Sequence, residues 1–300
     1  MSSIRPNTCW RPRSRGRSAR TAPAPERAAE GNGAGPGLLR LGQPFLPHLL
    51  EGGPGLAIRK PRTQRRELVD QFAQGLRITH DLGHVDIGDR KAAADNVALL
   101  TPIVKAFLTD NAFECTNHGV QVFGGHGFIT DNGMEQYVRD ARITQLYEGT
   151  NGVQALDLLG RKVLGDMGAK LRAFGAIVQK FVEDNGVDPK MQEFVNPLAD
   201  IGDKVQKLTM EIGMKAMQNQ DEVGAASVPY QRVVGHMVFS YFWARMAQIA
   251  LAKQEQDDFY KAKLATARFY FAKLLPETAG YIRQARAGVA SLYEMQDDWF

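Results

Sequence analysis

Apolar residues recur every three or four positions from about Glu67 onward, which is the spacing of one face of an α-helix. The pattern is weak in a first predicted helix, Glu67 to about Val85, and continuous from Leu100 to Val122. We expect this second helix to place Pro102 in its first turns, where a missing N–H is tolerated, and to end at the glycine-rich run 124–127. Its apolar stripe consists of Leu100, Val104, Leu108, Ala112, Cys115, Gly119 and Val122.

The middle of the chain predicts a short helix and then a long one. Met134 to Gln145 has helical spacing, and the run Tyr147-Glu148-Gly149-Thr150 interrupts it. Either Thr150 or Asn151 can cap the next helix, which has the most regular pattern in the chain. Its stripe consists of Val153, Leu156, Leu159, Val163, Met167, Leu171, Phe174, Val178 and Phe181.

Beyond the turn cluster at residues 185–189 the pattern predicts only further helices. They run from Met191 to about Gln220, from Pro229 to about Gln256, from Asp258 to Leu275, and onward from Pro276. No segment alternates with period two, so we predict an all-α protein in which a helical bundle precedes an additional helical domain. The predicted divisions are residues 1–66, 67–186 and 187–300.

The first sixty residues differ from the rest in composition. They hold ten Lys or Arg against three Asp or Glu, while the remainder has 27 against 30. Their Arg, Gly, Pro and Ala content and their lack of a sustained period predict disorder. Three interpretations stay open: a mitochondrial targeting arm, a nucleic-acid-binding tail and a non-native extension. The slightly acidic body and the lack of a recognition motif argue against a nucleic-acid partner.

The cysteines and the apolar content set two further limits. Cys9 and Cys115 lie far apart and follow no pairing pattern, which argues against a disulfide framework and against a zinc site. The helical stripe predicts that Cys115 is packed in the core. Polar residues interrupt the most apolar stretch, Val233 to Ala252, so we interpret it as a buried helix and expect no membrane span.

Glu148 is the candidate for chemistry, because it stands between an aromatic residue and a glycine at a break between helices. A carboxylate held there at a dry cavity wall would have a raised pKa and could act as a general base near neutral pH. An ordinary loop carboxylate is the alternative. Gly149 would allow a ligand to approach the backbone closely.

Several other polar groups have simpler explanations. Gln121 and the following glycines could offer an amide and free N–H groups to a phosphate, although a plain helix end is the commoner reason for such a run. The run Arg139-Asp140-Ala141-Arg142 is typical of a solvated helix face with local ion pairs. His118 and His126 lack the spacing of a metal pair, so no metal site is predicted.

Three linked motifs resemble the carboxy-terminal helical domain of the acyl-CoA dehydrogenases. They are residues 121–127 (QVFGGHG), 138–143 (VRDARI) and 146–150 (LYEGT), in this order and separation. The run 151–162 (NGVQALDLLGRK) is similar to the branch that includes 3-methylmercaptopropionyl-CoA dehydrogenase. Members of that branch also carry an extra carboxy-terminal helical domain, which residues 199–300 resemble.

The resemblance implies an activity and a set of site residues. Glu148 matches the base that removes the α-proton of an acyl-CoA thioester while the β-hydrogen leaves as hydride to FAD, and its own N–H would bind the thioester carbonyl. Tyr147 and Gly149, beside the base, match substrate contacts. The positions that match FAD-binding residues are Gln121, Val122, Phe123, Gly124, Gly125, Thr150, Asn151 and Gly152. Electron-transfer flavoprotein as acceptor and a homodimer or homotetramer are further implications.

The sequence departs from the family before the bundle. Complete members place an amino-terminal helical domain and a middle β-domain there, and this chain has no strand-rich region, so we expect a truncated fragment. A non-catalytic helical interaction module derived from such an enzyme is the alternative. The resemblance implies a cytoplasmic location in a bacterium, or the mitochondrial matrix in a eukaryote.

Overall fold

A computed structural model describes residues 87–299, and the structural statements below refer to that range. The predicted helix from Glu67 to Val85 and the arginine-rich arm lie outside the described residues. Within 87–299 every regular element is helical and none is a strand, which confirms the all-α prediction. The α-helices are α1 Ile87–Phe123, α2 Gly125–Phe128, α3 Met134–Thr144, α4 Asn151–Leu156, α5 Ala169–Asn185, α6 Gln192–Gln218, α7 Asp221–Lys253, α8 Asp258–Phe269 and α9 Thr278–Ala287.

Helix α7 is the centre of the bundle. It packs against α6, α8 and α9, and on its other side against α4 and α1. All nine residues from Tyr230 to Val238 are buried, as expected for a helix surrounded by other helices. The interpretation of residues 233–252 as a buried helix is therefore confirmed.

The predicted buried face of α1 is wrong. The residues that pack inward are Leu99, Ile103 and Phe107, each 2% exposed or less. Val104 and Leu108 are 48% and 44% exposed. Apolar residues occupy two faces of this helix, and spacing alone cannot say which face has a neighbour to cover it.

Two further expectations for α1 are also wrong. The described part of the helix already starts at Ile87, so Pro102 lies well inside it rather than in its first turns. Cys115, placed in the core by the stripe, is exposed. Among the described helices, α1 is the one long and apolar enough to cross a membrane. Core helices of soluble proteins meet the same criteria, and a third of its most apolar stretch is buried within the described residues.

The long helix predicted from Val153 to Phe181 is interrupted. After α4 come a wide turn of π-helix at Asp157–Val163 and a tight 3₁₀ turn at Leu164–Asp166, and Met167 and Gly168 then adopt positive φ angles of 55° and 78°. The Asp166 carboxylate accepts the N–H groups of Ala169 and Lys170 at 3.1 and 3.2 Å and so caps α5. Met167, assigned to the stripe, is 85% exposed.

The predicted start of α7 at Pro229 is also wrong. The helix begins at Asp221, where the Asn219 side chain accepts the Asp221 N–H at 3.0 Å. Two acidic residues in the first turn stabilise this start of the helix, because negative charge is favoured at the positive end of the helix dipole. The cap and these charges start the helix two turns before the proline.

The remaining helices are confirmed. Helices α3, α6, α8 and α9 lie within a few residues of their predicted bounds, and α8 continues into a π-helical turn that ends at Leu274. One hydrophobic cluster contains buried residues from both sides of residue 186, from Leu99 to Ala285. The division into residues 67–186 and 187–300 stays a prediction.

Candidate active site

Residues 145–151 form the turn between α3 and α4, which we call the Glu148 turn. Glu148 is its middle residue and has φ 57°, and Gly149 follows with φ 82°. A left-handed conformation costs a non-glycine residue on the order of 1–3 kcal/mol and persists only where surrounding contacts impose it. A Cβ at residue 149 would also lie 2.8 Å from the Gln154 amide nitrogen and would push that side chain aside, so the positive φ angle is the main reason for glycine here.

Hydrogen bonds close the Glu148 turn at its base and fix its apex. The Asn151 N–H donates to the Gln145 carbonyl at 3.2 Å. Gln154 donates from its side-chain amide to the Glu148 carbonyl at 3.1 Å. Thr150 occupies the N-cap position of α4 as expected, but its side chain makes no capping hydrogen bond.

The Asn151 side chain attaches the turn to α1. Its amide oxygen accepts the Lys105 ammonium at 2.7 Å. Its amide nitrogen donates to the Asp110 carboxylate at 2.6 Å and lies 2.9 Å from the Thr109 hydroxyl and 3.2 Å from the Ala106 carbonyl. Since these partners use the whole amide, the side chain is not free for a ligand.

Asp110 also contacts the start of the turn and the core. The same oxygen, Oδ1, accepts the Gln145 side-chain amide at 2.8 Å. Its other oxygen lies 3.8 Å from a guanidinium nitrogen of Arg232 on α7, whose side chain is 7% exposed. Arg232 lies over the rings of Phe107 and Tyr281, 5.0 and 5.4 Å from their centroids.

The sequence did not single out Asp110, Lys105 or Gln145. Their signal is faint: polar residues placed next to buried apolar positions of one helix, and a glutamine at the end of another. Only the fold brings them to the Glu148 turn.

The Glu148 side chain is exposed, and Tyr147 is 48% exposed. The dry cavity wall expected around this carboxylate is therefore not formed by residues 87–299. Within the same range the Glu148 N–H has no hydrogen-bond partner.

The glycine segment, residues 121–125, lies about 16 Å further along α1 than Asp110, at 1.5 Å per residue. All five residues are exposed. Gly124 has φ 60°, and open space surrounds the Cβ positions of Gly124, Gly125 and Gly152. The structure does not bring this segment into contact with Glu148.

An open groove of about 750 Å³ is lined by residues of α1, α2 and α3 and by Leu146. Asp140 accepts an amide of Gln136 at 2.7 Å and Arg142 donates to Gln145 at 3.1 Å. Because both partners are neutral glutamine amides, these two side chains do not form the ion pairs that were expected on this helix face. The lining residues are Phe113, Asn117, Val120, Phe128, Glu135, Val138, Arg139, Asp140, Arg142, Ile143 and Leu146.

His118 and His126 are both exposed. Across residues 87–299 no group of three or more His, Cys, Asp or Glu side chains could hold a metal ion.

Two family models match the chain. Residues 87–164 match the acyl-CoA dehydrogenase carboxy-terminal domain, and residues 174–296 match a model described as acetyl-CoA dehydrogenase C-terminal like. The chain belongs to the acyl-CoA dehydrogenase family. The first matched range contains the glycine segment and the Glu148 turn, and the second contains Arg232.

Curated relatives within the acyl-CoA dehydrogenase family give the extent of the match. The chain is 35% identical over 202 residues to 3-methylmercaptopropionyl-CoA dehydrogenase of Ruegeria pomeroyi, covering 66% of this chain and 34% of the relative. It is 29% identical over 248 residues to the broad-specificity linear acyl-CoA dehydrogenase FadE5 of Mycobacterium tuberculosis, covering 74% and 40%. The chain thus spans little more than a third of the length of these acyl-CoA dehydrogenases.

The crystal structure of Caenorhabditis elegans ACDH-11 in complex with C11-CoA has a similar fold. The TM-score is 0.51 at 22% identity, over 69% of this chain and 33% of that one. The likeness shows that the two chains share an all-α fold over this range.

Proposed function

We propose that this chain supplies the general base and part of the flavin-binding surface of an FAD-dependent acyl-CoA dehydrogenase. The observation that carries the proposal is the conformation of the Glu148 turn. A glutamate is held there in a costly left-handed conformation by contacts on both sides, and strain of this kind concentrates at functional sites.

Glu148 would remove the α-proton of an acyl-CoA thioester. That C–H bond is a very weak acid in water, so the negative charge that develops on the thioester oxygen must be stabilised by hydrogen-bond donors already in place. The Glu148 N–H, which no residue in 87–299 accepts, could be one such donor. A single residue would then hold the carbonyl oxygen and take the proton, which orients the substrate on the base.

The residues present fit a flavin dinucleotide in part. The exposed glycine segment and the open space at Gly152 allow close approach of a ligand. The Thr150 side chain is exposed and makes no cap bond. Asn151 does not fit as a side-chain ligand, because α1 and the turn use its amide. Bound FAD would supply the acceptor for the β-hydrogen, and electron-transfer flavoprotein would then reoxidise it.

A second candidate is a non-catalytic helical interaction module. It is favoured by the exposure of Glu148 and of large apolar side chains around the α1–α3 groove. A homodimer or homotetramer would cover this surface in either case.

The decisive experiment measures flavin content and flavin reduction by acyl-CoA. The chain would be assayed alone and mixed with the separately expressed amino-terminal two-thirds of the Ruegeria relative. We expect the mixture to bind FAD, and Glu148→Gln to slow flavin reduction by about 10²–10⁴-fold at unchanged flavin content. Glu183→Gln, an exposed carboxylate on α5, is the matched control.

The outcomes separate the two candidates. Flavin reduction at the parent rate in Glu148→Gln would show that Glu148 is not the base. A folded oligomer that binds neither FAD nor acyl-CoA, alone or mixed, would favour the interaction module.

A further inference from the structure

One carboxylate oxygen of Asp110 binds both ends of the Glu148 turn. Gln145 and Asn151 stand three residues before and three residues after Glu148, and their side-chain amides donate to Asp110 Oδ1 at 2.8 and 2.6 Å. Because the acceptor is a single atom, the two ends are fixed relative to each other as well as to α1. The bond from the Asn151 N–H to the Gln145 carbonyl at 3.2 Å closes the same ring through the backbone.

The conformation at the apex depends on this closure. With its ends held together, a chain of seven residues must reverse direction, and Glu148 and Gly149 do so with φ angles of 57° and 82°. An isolated glutamate would leave the left-handed region for ordinary backbone angles. If the two ends of the turn separated, the Glu148 backbone would return to ordinary φ and ψ angles. Its N–H and its carboxylate would then no longer be held in fixed positions relative to each other.

Arg232 explains why Asp110 presents Oδ1 to the turn. The buried guanidinium lies 3.8 Å from Oδ2, too far for a hydrogen bond, and attracts that side of the carboxylate through its charge. Glu114, one turn further along α1, lies 4.0 Å from the same guanidinium and is 58% exposed. No hydrogen bond within residues 87–299 joins Glu114 to the Glu148 turn. A substitution at Glu114 therefore tests the charge contact with Arg232 without affecting the hydrogen bonds that Asp110 makes to the turn.

We propose that Asp110 is a positioning residue for Glu148: it holds the two ends of the turn together and so maintains the left-handed conformation that aims the base. The catalytic meaning of this role rests on the proposed function. The structural part can be tested without catalysis, in the full chain as it stands.

The first experiment is amide hydrogen exchange followed by mass spectrometry on the full chain and on Asp110→Ala, Asp110→Asn and Glu114→Gln. We expect exchange in the peptide covering residues 145–151 to rise at least tenfold in Asp110→Ala. Asp110→Asn should lie between, because an amide oxygen can still accept both donors but no longer attracts Arg232. Glu114→Gln should match the parent, and the exchange of α7 should not change in any variant.

Two results would overturn the proposal. One is unchanged exchange of residues 145–151 in Asp110→Ala. The other is a rise spread evenly over α1 and α7, since that would assign Asp110 a general stabilising role. The Asp110→Asn variant decides the matter if Asp110→Ala does not fold.

The second experiment uses the flavin-loaded mixture. We expect Asp110→Asn to lower kcat at least tenfold while KM for acyl-CoA and the flavin content stay at parent values, and Glu114→Gln to change none of the three. A parent kcat in Asp110→Asn together with raised exchange would overturn the catalytic part. If Glu148→Gln proves fully active, the proposed function fails, and exchange alone still decides the role of Asp110 in the turn.

Discussion

Residues 108–154, which contain the Glu148 turn, differ from the bundle around α7 in how far their apolar residues are exposed to solvent. Between Phe107 and Ala155 only Gly127 is buried, whereas nine consecutive residues of α7 are. The first region has no lack of large apolar side chains, since Phe128, Val122 and Ile143 are 79%, 56% and 54% exposed. The region that carries the candidate chemistry is thus held by polar contacts, and the stability of the described fold resides elsewhere.

The largest effect is expected when the same substitution is made in each region, at Phe194 of α6 in the bundle around α7 and at Phe128 within residues 108–154. Phe194 is fully buried and lies edge-on to Phe271 at 5.5 Å between centroids. Phe194→Ala should lower the free energy of unfolding by about 3–5 kcal/mol, and Phe128→Ala by less than about 0.5 kcal/mol. Urea denaturation measures both, and equal losses would remove the contrast between the regions.

A smaller effect is expected from pH, through His236 in the core. The Tyr270 hydroxyl donates to the His236 carbonyl and lies 3.1 Å from Nδ1, so Nδ1–H donates to the phenol and Nε2 is left without a proton. Nε2 has no hydrogen-bond partner in residues 87–299. Burial, and next the nearby Arg232, lower the pKa of His236 to about 4.

Because this pKa is lower than in the unfolded chain, the unfolded chain binds the proton more readily. Stability should therefore be complete above about pH 6.5 and decline toward pH 4, with about 2 kcal/mol lost at pH 5. The charged groups facing the ring are Arg232 on α7 and Glu277, whose carboxylate lies 4.0 Å from Nε2. Denaturation midpoints between pH 4.5 and 7.5 should lose this slope in His236→Gln and keep it in His126→Gln, and parallel profiles for all three proteins would contradict the assignment.

The smallest effect is expected where α1 packs against α7. A Cβ on Gly235 of α7 would collide with the Phe107 ring of α1. Gly235→Ala should therefore cost about 1–3 kcal/mol. Gly224→Ala, on the same helix with open space at its Cβ, should be neutral or stabilise by up to about 1 kcal/mol. Thermal unfolding of the two variants checks the pair, and a stabilised Gly235→Ala would mean that the helices can separate without loss.

The sequence predicts the helices well and their buried faces poorly. Spacing located α3, α6, α8 and α9, because each presents one apolar face to the bundle. It failed for α1, where Val104 and Leu108 extend a second apolar face that residues 87–299 leave nearly half exposed. It also missed the break at Met167, because the Asp166 cap interrupts the helix without interrupting the apolar stripe.

The candidate site was predicted in part. The motif around Glu148 predicted the break between helices, which the structure confirms. That Glu148 is the working carboxylate, and that Gly149 allows a ligand to approach the backbone closely, stay predictions. The hydrogen bonds of Asp110 could not be predicted from the sequence, because they depend on how α1 packs against α3 and α4. Assigning Asn151 to the flavin took no account of the bonds that its amide makes within the chain, and the site residues themselves stay a prediction.

The contact between Arg232 and Asp110 has a consequence for protein engineering. It joins the range matched by one family model to the range matched by the other. A chimaera that exchanges the carboxy-terminal part between two relatives would pair an aspartate from one parent with whatever residue the other parent holds at position 232. Such hybrids should be built by transferring the two positions together.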